Sequence, residues 1–281
     1  MPHDPRIFGL CACWLGYSQD MVATIRQFGT GDLVLVTNDD GIESAGVASM
    51  ARALVARGAR VIVAAPARNM SGASAAIGPV GKTVKIERCP IESVTGECFA
   101  VAAPPAMIVI AAASGALGPK PTCVAAGVNA GANLGRAILH SGTVGAALTA
   151  QNLGLPAVAV SLEAGTEWDA AATAGSGVLE RLLDREQPRV ANVNAPKNIT
   201  SSTPVRRTTL SRFGSVTAAI VGEELAFQLV IDPLELSDEG SDGAAISHAE
   251  LSVTMLTGVG GFADFDTQFE LERVHVQKTT S

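Results

Sequence analysis

The chain has 281 residues, of which 47% are hydrophobic and 17% charged, and its formal net charge is -7. That apolar content excludes a disordered chain, and the acidic balance argues against a protein that grips a nucleic-acid polymer by its backbone. A nucleotide monomer stays within reach, because one phosphate can be held by a metal and a few backbone N–H groups.

Residues 1–30 read as a poorly ordered N-terminal extension. Ile7 to Tyr17 is an apolar run behind Arg6, but the basic region is thin and no small-x-small cleavage site follows, so a signal peptide is not expected. Met21 is an alternative first residue. Leu33 to Thr37 reads as a buried parallel strand, and Asn38-Asp39-Asp40-Gly41 as a turn. Apolar positions Val47, Met50, Ala51, Leu54 and Val55 set a helix over Ser44 to Arg57, stopped at Gly58. Arg60 to Ala65 is the next strand, ended by Pro66, which completes a right-handed βαβ unit.

Ala67 to Gly81 is a loop of small residues, followed by short strands at Thr83 to Glu87 and Val94 to Val101. Pro105 to Ala113 is an apolar helix and Thr122 to Val128 a buried strand. A glycine-rich loop, Asn129 to Gly142, leads to a helix over Thr143 to Leu153. Pro156 to Ser161, Trp168 to Asp184 and Arg189 to Asn194 read as strand, helix and strand. The alternation predicts an α/β fold over residues 31–200, a doubly wound sheet. Past Pro196 helical periodicity ends. Arg206 to Arg212, Ala226 to Ile231 and Leu251 to Leu256 read as strands, and Leu234 to Gly243 as an acidic loop. Residues 201–281 are expected to form a smaller antiparallel appendage and tail, which would cover a second copy in a symmetric dimer.

The five cysteines are irregularly spaced, with no CxxC pair and no His pair at zinc spacing. An odd, scattered set fits a reducing, cytoplasmic setting better than a disulfide framework. No apolar stretch reaches the ~20 residues of a membrane span, and no membrane partner is expected.

In an open parallel sheet, ligands bind at the carboxyl ends of the strands. Polar residues concentrate there: Thr37-Asn38-Asp39-Asp40-Gly41, Asn69-Met70-Ser71-Gly72 and Asn129-Ala130-Gly131-Ala132-Asn133 each follow a strand. In a turn, Asp39 and Asp40 can both aim into the crevice, where their repulsion is relieved by a divalent cation. Their oxygens suit a hard ion such as Mg²⁺, Mn²⁺ or Ca²⁺, with Ser71 and Asn129 adding neutral oxygens. By itself, Asp39-Asp40-Gly41 reads first as an ordinary capped turn; the three loops together favour a site. Ser141-Gly142-Thr143 opens a helix and offers an anion site, or a plain N-cap. His140 beside it is a candidate general acid, although a lone loop histidine is more often structural or solvated.

Leu35-Val36-Thr37-Asn38-Asp39-Asp40-Gly41-Ile42 resembles the opening signature of the SurE survival-protein family of 5'/3'-nucleotidases. Ala65-Pro66 with Asn69-Met70-Ser71-Gly72 resembles its second motif, where Gln commonly precedes the Ser. Gly127 to Gly135 resembles the third and Ser141-Gly142-Thr143-Val144-Gly145-Ala146-Ala147 the fourth. Asn192-Val193-Asn194-Ala195-Pro196 and Leu251-Ser252-Val253-Thr254 fit its later part. The resemblance implies a Rossmann-like three-layer doubly wound domain with a C-terminal antiparallel β-hairpin extension, assembled as a homodimer or homotetramer, and hydrolysis of nucleoside monophosphates with one divalent cation, Mg²⁺ or Mn²⁺, held by Asp39, Asp40, Ser71 and Asn129. It also implies catalysis through the two acids, and a phosphate pocket lined by Asn38, Gly72, Asn133, Ser141, Gly142 and Thr143.

Two segments depart from the family. Ala103-Pro104-Pro105-Ala106-Met107 stands where Gly-Thr-Pro-Ala-Asp is usual, and Glu43-Ser44-Ala45-Gly46 replaces a commoner aromatic or His and Pro pattern. A nucleotide- or metal-binding protein with weak or lost phosphatase activity is therefore the alternative. A haloacid-dehalogenase-type phosphatase would need a second acid at Gly41, and a dinucleotide-binding enzyme a GxGxxG turn; neither is present.

Overall fold

The structure, a computed structural model, describes residues 26–78, 80–92, 94–183, 187, 189–212, 216–220, 227–231 and 238–258. In chain order its first elements are β1 (Leu33–Thr37), α1 (Ala45–Ala56), β2 (Arg60–Pro66), β3 (Ile86–Arg88), β4 (Glu97–Val101), α2 (Pro105–Ala113) and β5 (Cys123–Ala130). A 3-10 helix (Gly135–His140), α3 (Gly142–Asn152), β6 (Ala157–Leu162), α4 (Trp168–Leu182) and β7 (Val190–Ala195) follow. The chain then forms β8 (Val205–Thr208), β9 (Val216–Ile220), β10 (Phe227–Ile231), α5 (Asp242–Ser247) and β11 (Leu251–Leu256).

β1 is buried throughout because both of its faces are covered. Val34 and Val36 face an apolar cluster that includes Val47, Met50 and Leu54 of α1 and Ala172 and Leu179 of α4. Leu33 and Leu35 face a second cluster with Ile108 and Val109 of α2 and Val144 and Ala147 of α3. This is the period-two alternation of a strand inside a three-layer sandwich, and it explains the unbroken aliphatic run in the sequence.

The parallel strands lie in the order β4-β2-β1-β5-β6-β7. Numbered among themselves they run 3-2-1-4-5-6, the doubly wound order, whose direction reverses between β1 and β5. Helix α1 presses close to this point. A Cβ on Gly46 would lie 1.9 Å from the Val128 carbonyl oxygen, so only glycine lets the helix meet the end of β5.

Several boundaries differ from the sequence reading. β8 and β11 are not a separate appendage beginning at residue 201. They complete the main nine-stranded sheet, β11 antiparallel to β7 and β8 parallel to β11. A hairpin of β9 and β10 does form, antiparallel, and its first strand is not among those the sequence reading names. The expected acidic loop ends in α5, where the Ser241 hydroxyl accepts from Ala244 N–H at 3.2 Å. Residues 26–30, expected in the loose extension, are tied down. Phe28 is buried and its N–H donates to Glu180 Oε1 at 2.9 Å, while Arg26 pairs with Asp32 at 2.7 Å. The rest of that extension, with Met21, lies outside the described residues.

Candidate functional site

The acidic turn is shaped by Asn38. Its Oδ1 accepts from Gly41 N–H at 3.2 Å and its Nδ2 donates to Ser44 Oγ at 2.7 Å, and the residue is fully buried. Both polar ends of the side chain are engaged within the turn. Asn38, expected against a phosphate, therefore sets the geometry of the acids.

The turn sends its two acids to different partners. Asp39 is buried, and its Oδ2 accepts from Gly142 N–H at 3.0 Å. Its Oδ1 accepts from the Thr143 hydroxyl. The N-terminus of α3, which the sequence offers as an anion site or a plain N-cap, here receives the carboxylate of Asp39. Ser141 caps the same helix, its Oγ accepting from Val144 N–H at 3.1 Å. Ser141, Gly142 and Thr143, expected around a phosphate, thus build the support for Asp39. Asp40 is half-buried, and its Oδ2 accepts from Ala130 N–H at 2.9 Å, at the end of β5. Burial pushes the Asp40 carboxyl above its ordinary value of 3.8; the Ala130 N–H opposes this, and the neighbouring charge of Asp39 adds to it.

The second loop is joined directly to the first, because Met70 N–H donates to the Asp39 carbonyl at 2.7 Å. Ser71 and Gly72 beyond it are exposed. Gly72 has φ +82° and open space where a Cβ would sit, so an anion could approach its backbone. The third loop starts at Asn129, whose Nδ2 donates to the Gly131 carbonyl at 2.7 Å. Three oxygens of the expected ligand set, Asp40 Oδ1, Ser71 Oγ and Asn129 Oδ1, make no hydrogen bond among the described residues.

Asn133 is held through its N–H, its carbonyl and its side-chain Nδ2. Its N–H donates to Asn194 Oδ1 at 2.8 Å and its Nδ2 to Ser161 Oγ at 2.8 Å. Its carbonyl accepts from Asn192 Nδ2 at 2.8 Å and Asn194 Nδ2 at 2.9 Å. The sequence reading did not assign this role to Ser161, Asn192 or Asn194. A signal was there: Asn192 and Asn194 place amides on one face of a strand whose other face is apolar. His140 ends the 3-10 helix as an exposed residue, and its carbonyl accepts from Ser74 N–H at 3.3 Å. A cavity of about 410 Å³ opens beside Ile138, Thr208 and Thr254, but neither acid lines it.

Fold and site together define a doubly wound α/β protein with an acidic turn at its switch point, joined by hydrogen bonds to the loops after β2 and β5. Comparison with known proteins narrows the class. The profile of the family described as "Survival protein SurE" matches residues 34–218. A relative named 5'-nucleotidase SurE, from Aeromonas hydrophila subsp. hydrophila, is 34% identical over 233 residues, 80% of this chain and 91% of the relative. A 5'/3'-nucleotidase SurE from Edwardsiella ictaluri is 36% identical over 187 residues, 65% of this chain and 69% of its own. The crystal structure of the SurE protein from Aquifex aeolicus superposes with a TM-score of 0.66 at 28% identity, covering 80% of this chain and 92% of that one. The chain belongs to the SurE survival-protein family.

Proposed function

We propose that the chain hydrolyses nucleoside monophosphates, 5' and 3', to nucleoside and inorganic phosphate, with one divalent cation, Mg²⁺ or Mn²⁺. The observation that carries this reading is the meeting of Asp39 and Asp40 with the Ser71 and Asn129 loops at the switch point of the sheet. The activities named for the relatives support it. The donor chemistry also fits. Among the described residues no three His, Cys, Asp or Glu side chains gather to hold a metal. A cation here would rest on Asp39, Asp40 and the neutral oxygens of Ser71 and Asn129, a hard-oxygen set suited to Mg²⁺ or Mn²⁺.

When bound, such an ion would supply Lewis-acid polarisation of the phosphoryl group. The chain's own residues do the positioning. Gly142 N–H and the Thr143 hydroxyl hold Asp39, and Ala130 N–H holds Asp40. The exposed Ser71-Gly72 backbone lets an anion come close, and Asn133 forms a rigid wall. We further propose a homodimer or homotetramer, with the C-terminal hairpin between copies, working in the cytoplasm; light scattering on the purified chain tests the assembly. No helix among the described residues is long and apolar enough to cross a membrane.

The alternative, nucleotide or metal binding with weak or lost turnover, rests on Ala103 to Met107. There Pro104 stands at the N-cap of α2 and supplies no side-chain cap. The deciding experiment measures phosphate release from a panel of nucleoside 5'- and 3'-monophosphates in EDTA, then with Mg²⁺ or Mn²⁺ restored. Metal-restored release is expected. A folded protein that binds nucleotide but releases nothing with either ion would leave the alternative standing. Asp39→Asn is expected to lower kcat by at least about 100-fold while the protein stays folded, since one donated bond is kept and the Thr143 hydroxyl can turn to accept. An active, metal-independent Asp39→Asn would sink the proposal.

A further inference from the structure

The hairpin at the sheet edge carries two thiols that the proposed reaction does not use. β3 and β4 are antiparallel, with Ile86 opposite Val101, Glu87 opposite Ala100 and Arg88 opposite Phe99. The next rung places Cys89 opposite Cys98, and Cys89 N–H donates to the Cys98 carbonyl at 2.9 Å. Residues facing each other on a hydrogen-bonded rung have Cα atoms about 5.5 Å apart. That lies within the span of about 4.4–6.8 Å that a disulfide bridges. Side chains on one rung share a face, and here both meet the apolar cluster under α1 and α4, Cys98 within it and Cys89 at its margin. Both thiols are free.

We propose that Cys89 and Cys98 are a thiol–disulfide exchange site, which a small disulfide such as oxidised glutathione converts into an intramolecular cross-strand disulfide. Exposure sets the order. Cys98 is buried and Cys89 partly open. Burial pushes the Cys98 thiol above its ordinary range; the Ile91 N–H opposes this, and the nearby Cys89 sulfur adds to it. The Cys89 thiolate therefore attacks first, forming a mixed disulfide and releasing one glutathione thiolate. Cys98 then gives up its proton to solvent and attacks the Cys89 sulfur, with the Ile91 N–H beside it, and the second glutathione leaves. The two thiols lose two electrons and two protons, and one glutathione disulfide becomes two glutathione thiols. Cys123 takes no part, because burial pushes its thiol up to about 12. Cys98 pairs with Val63 of β2, and Val63 with Val36 of β1, so the thiols stand two strands to the side of the acidic turn; the outcome is read on sulfur and does not depend on the proposed hydrolysis.

The test incubates the full chain with oxidised glutathione at pH 8 and digests it, unreduced, with a protease that cuts after glutamate. Glu92 and Glu97 lie between the cysteines, so the two halves stay joined only through sulfur. The expected product is a linked Cys89–Cys98 peptide pair carrying no glutathione. In Cys98→Ser, glutathione is expected to remain on Cys89. Glutathione retained on Cys89 of the unaltered chain, a link from Cys89 to Cys11 or Cys13, or no reaction until the protein is denatured would each overturn the proposal. The digest of the unaltered chain decides even if the variant does not fold.

Discussion

Asp40 is kept half-buried against its own electrostatics. Because burial raises its carboxyl above 3.8, with the charge of Asp39 acting the same way, the folded state holds that proton more tightly than the unfolded chain does. Between the ordinary value and the raised one, the folded state binds more protons. Stability therefore falls as pH rises through that window, and the full deficit remains above it. Asp40→Asn removes the charge yet leaves an acceptor for Ala130 N–H. In EDTA the variant is expected to melt higher than the parent at pH 7.5, with the gap closing as pH falls towards 4, while phosphate release is lost. A calorimetric gap that does not change with pH would mean that Asp40 is not the source. The positions of both acids were legible, since a strand end in a parallel sheet is a known place for ligands. Their partners were not. Gly142 and Thr143 are 103 and 104 residues from Asp39, and Ala130 is 90 from Asp40, distances over which local pattern says nothing.

Among elements, the helices and central strands could be read because burial on two faces, or a stripe on one, imposes a period. The 3-10 helix at Gly135–His140 and α5 are each 6 residues long, too short to show one. The meeting of α3 with the acidic turn is the element contact that matters most to the site. A Cβ on Gly142 would sit 2.7 Å from Asp39 Oδ2 and 2.8 Å from its Cβ. Glycine to alanine inside a helix ordinarily stabilises by about 1 kcal/mol. Here the clash is with a side chain held on two sides, and it outweighs the propensity. Gly142→Ala is expected to lower both the melting temperature and kcat. Unchanged values of both in thermal melts and phosphate-release assays would show that α3 does not abut Asp39.

At the scale of the whole molecule, the sheet continues past the six parallel strands because β11 enters antiparallel to β7 and carries β8 with it. Period-two patterning marks a strand but not its neighbour, which is why these two read from the sequence as a separate appendage. The continuation brings Asp242, at the start of α5, back to the loops of the candidate site. Asp242 is fully buried. Its Oδ2 accepts from Gly135 N–H at 2.8 Å, two residues beyond Asn133. Its Oδ1 accepts from Ser211 N–H at 2.9 Å, Ser211 Oγ at 2.7 Å and Gly243 N–H at 2.8 Å. Every partner is a donor, so the site needs an acceptor on both oxygens. Asp242→Asn would turn an NH₂ group towards one of those N–H groups, and a buried donor left without an acceptor costs about 1–3 kcal/mol. For a chain of this size that is a fall of roughly 2–10 °C in Tm. Because Gly135 would lose its tether, the loop that carries Asn133 should loosen, raising KM for the nucleotide more than it lowers kcat. Asp238→Asn is the control. That carboxylate is exposed and meets Arg212 only at 3.6 Å, so its loss should change neither quantity. Equal effects from the two substitutions would mean that β8, α5 and β11 extend the sheet without bracing the site.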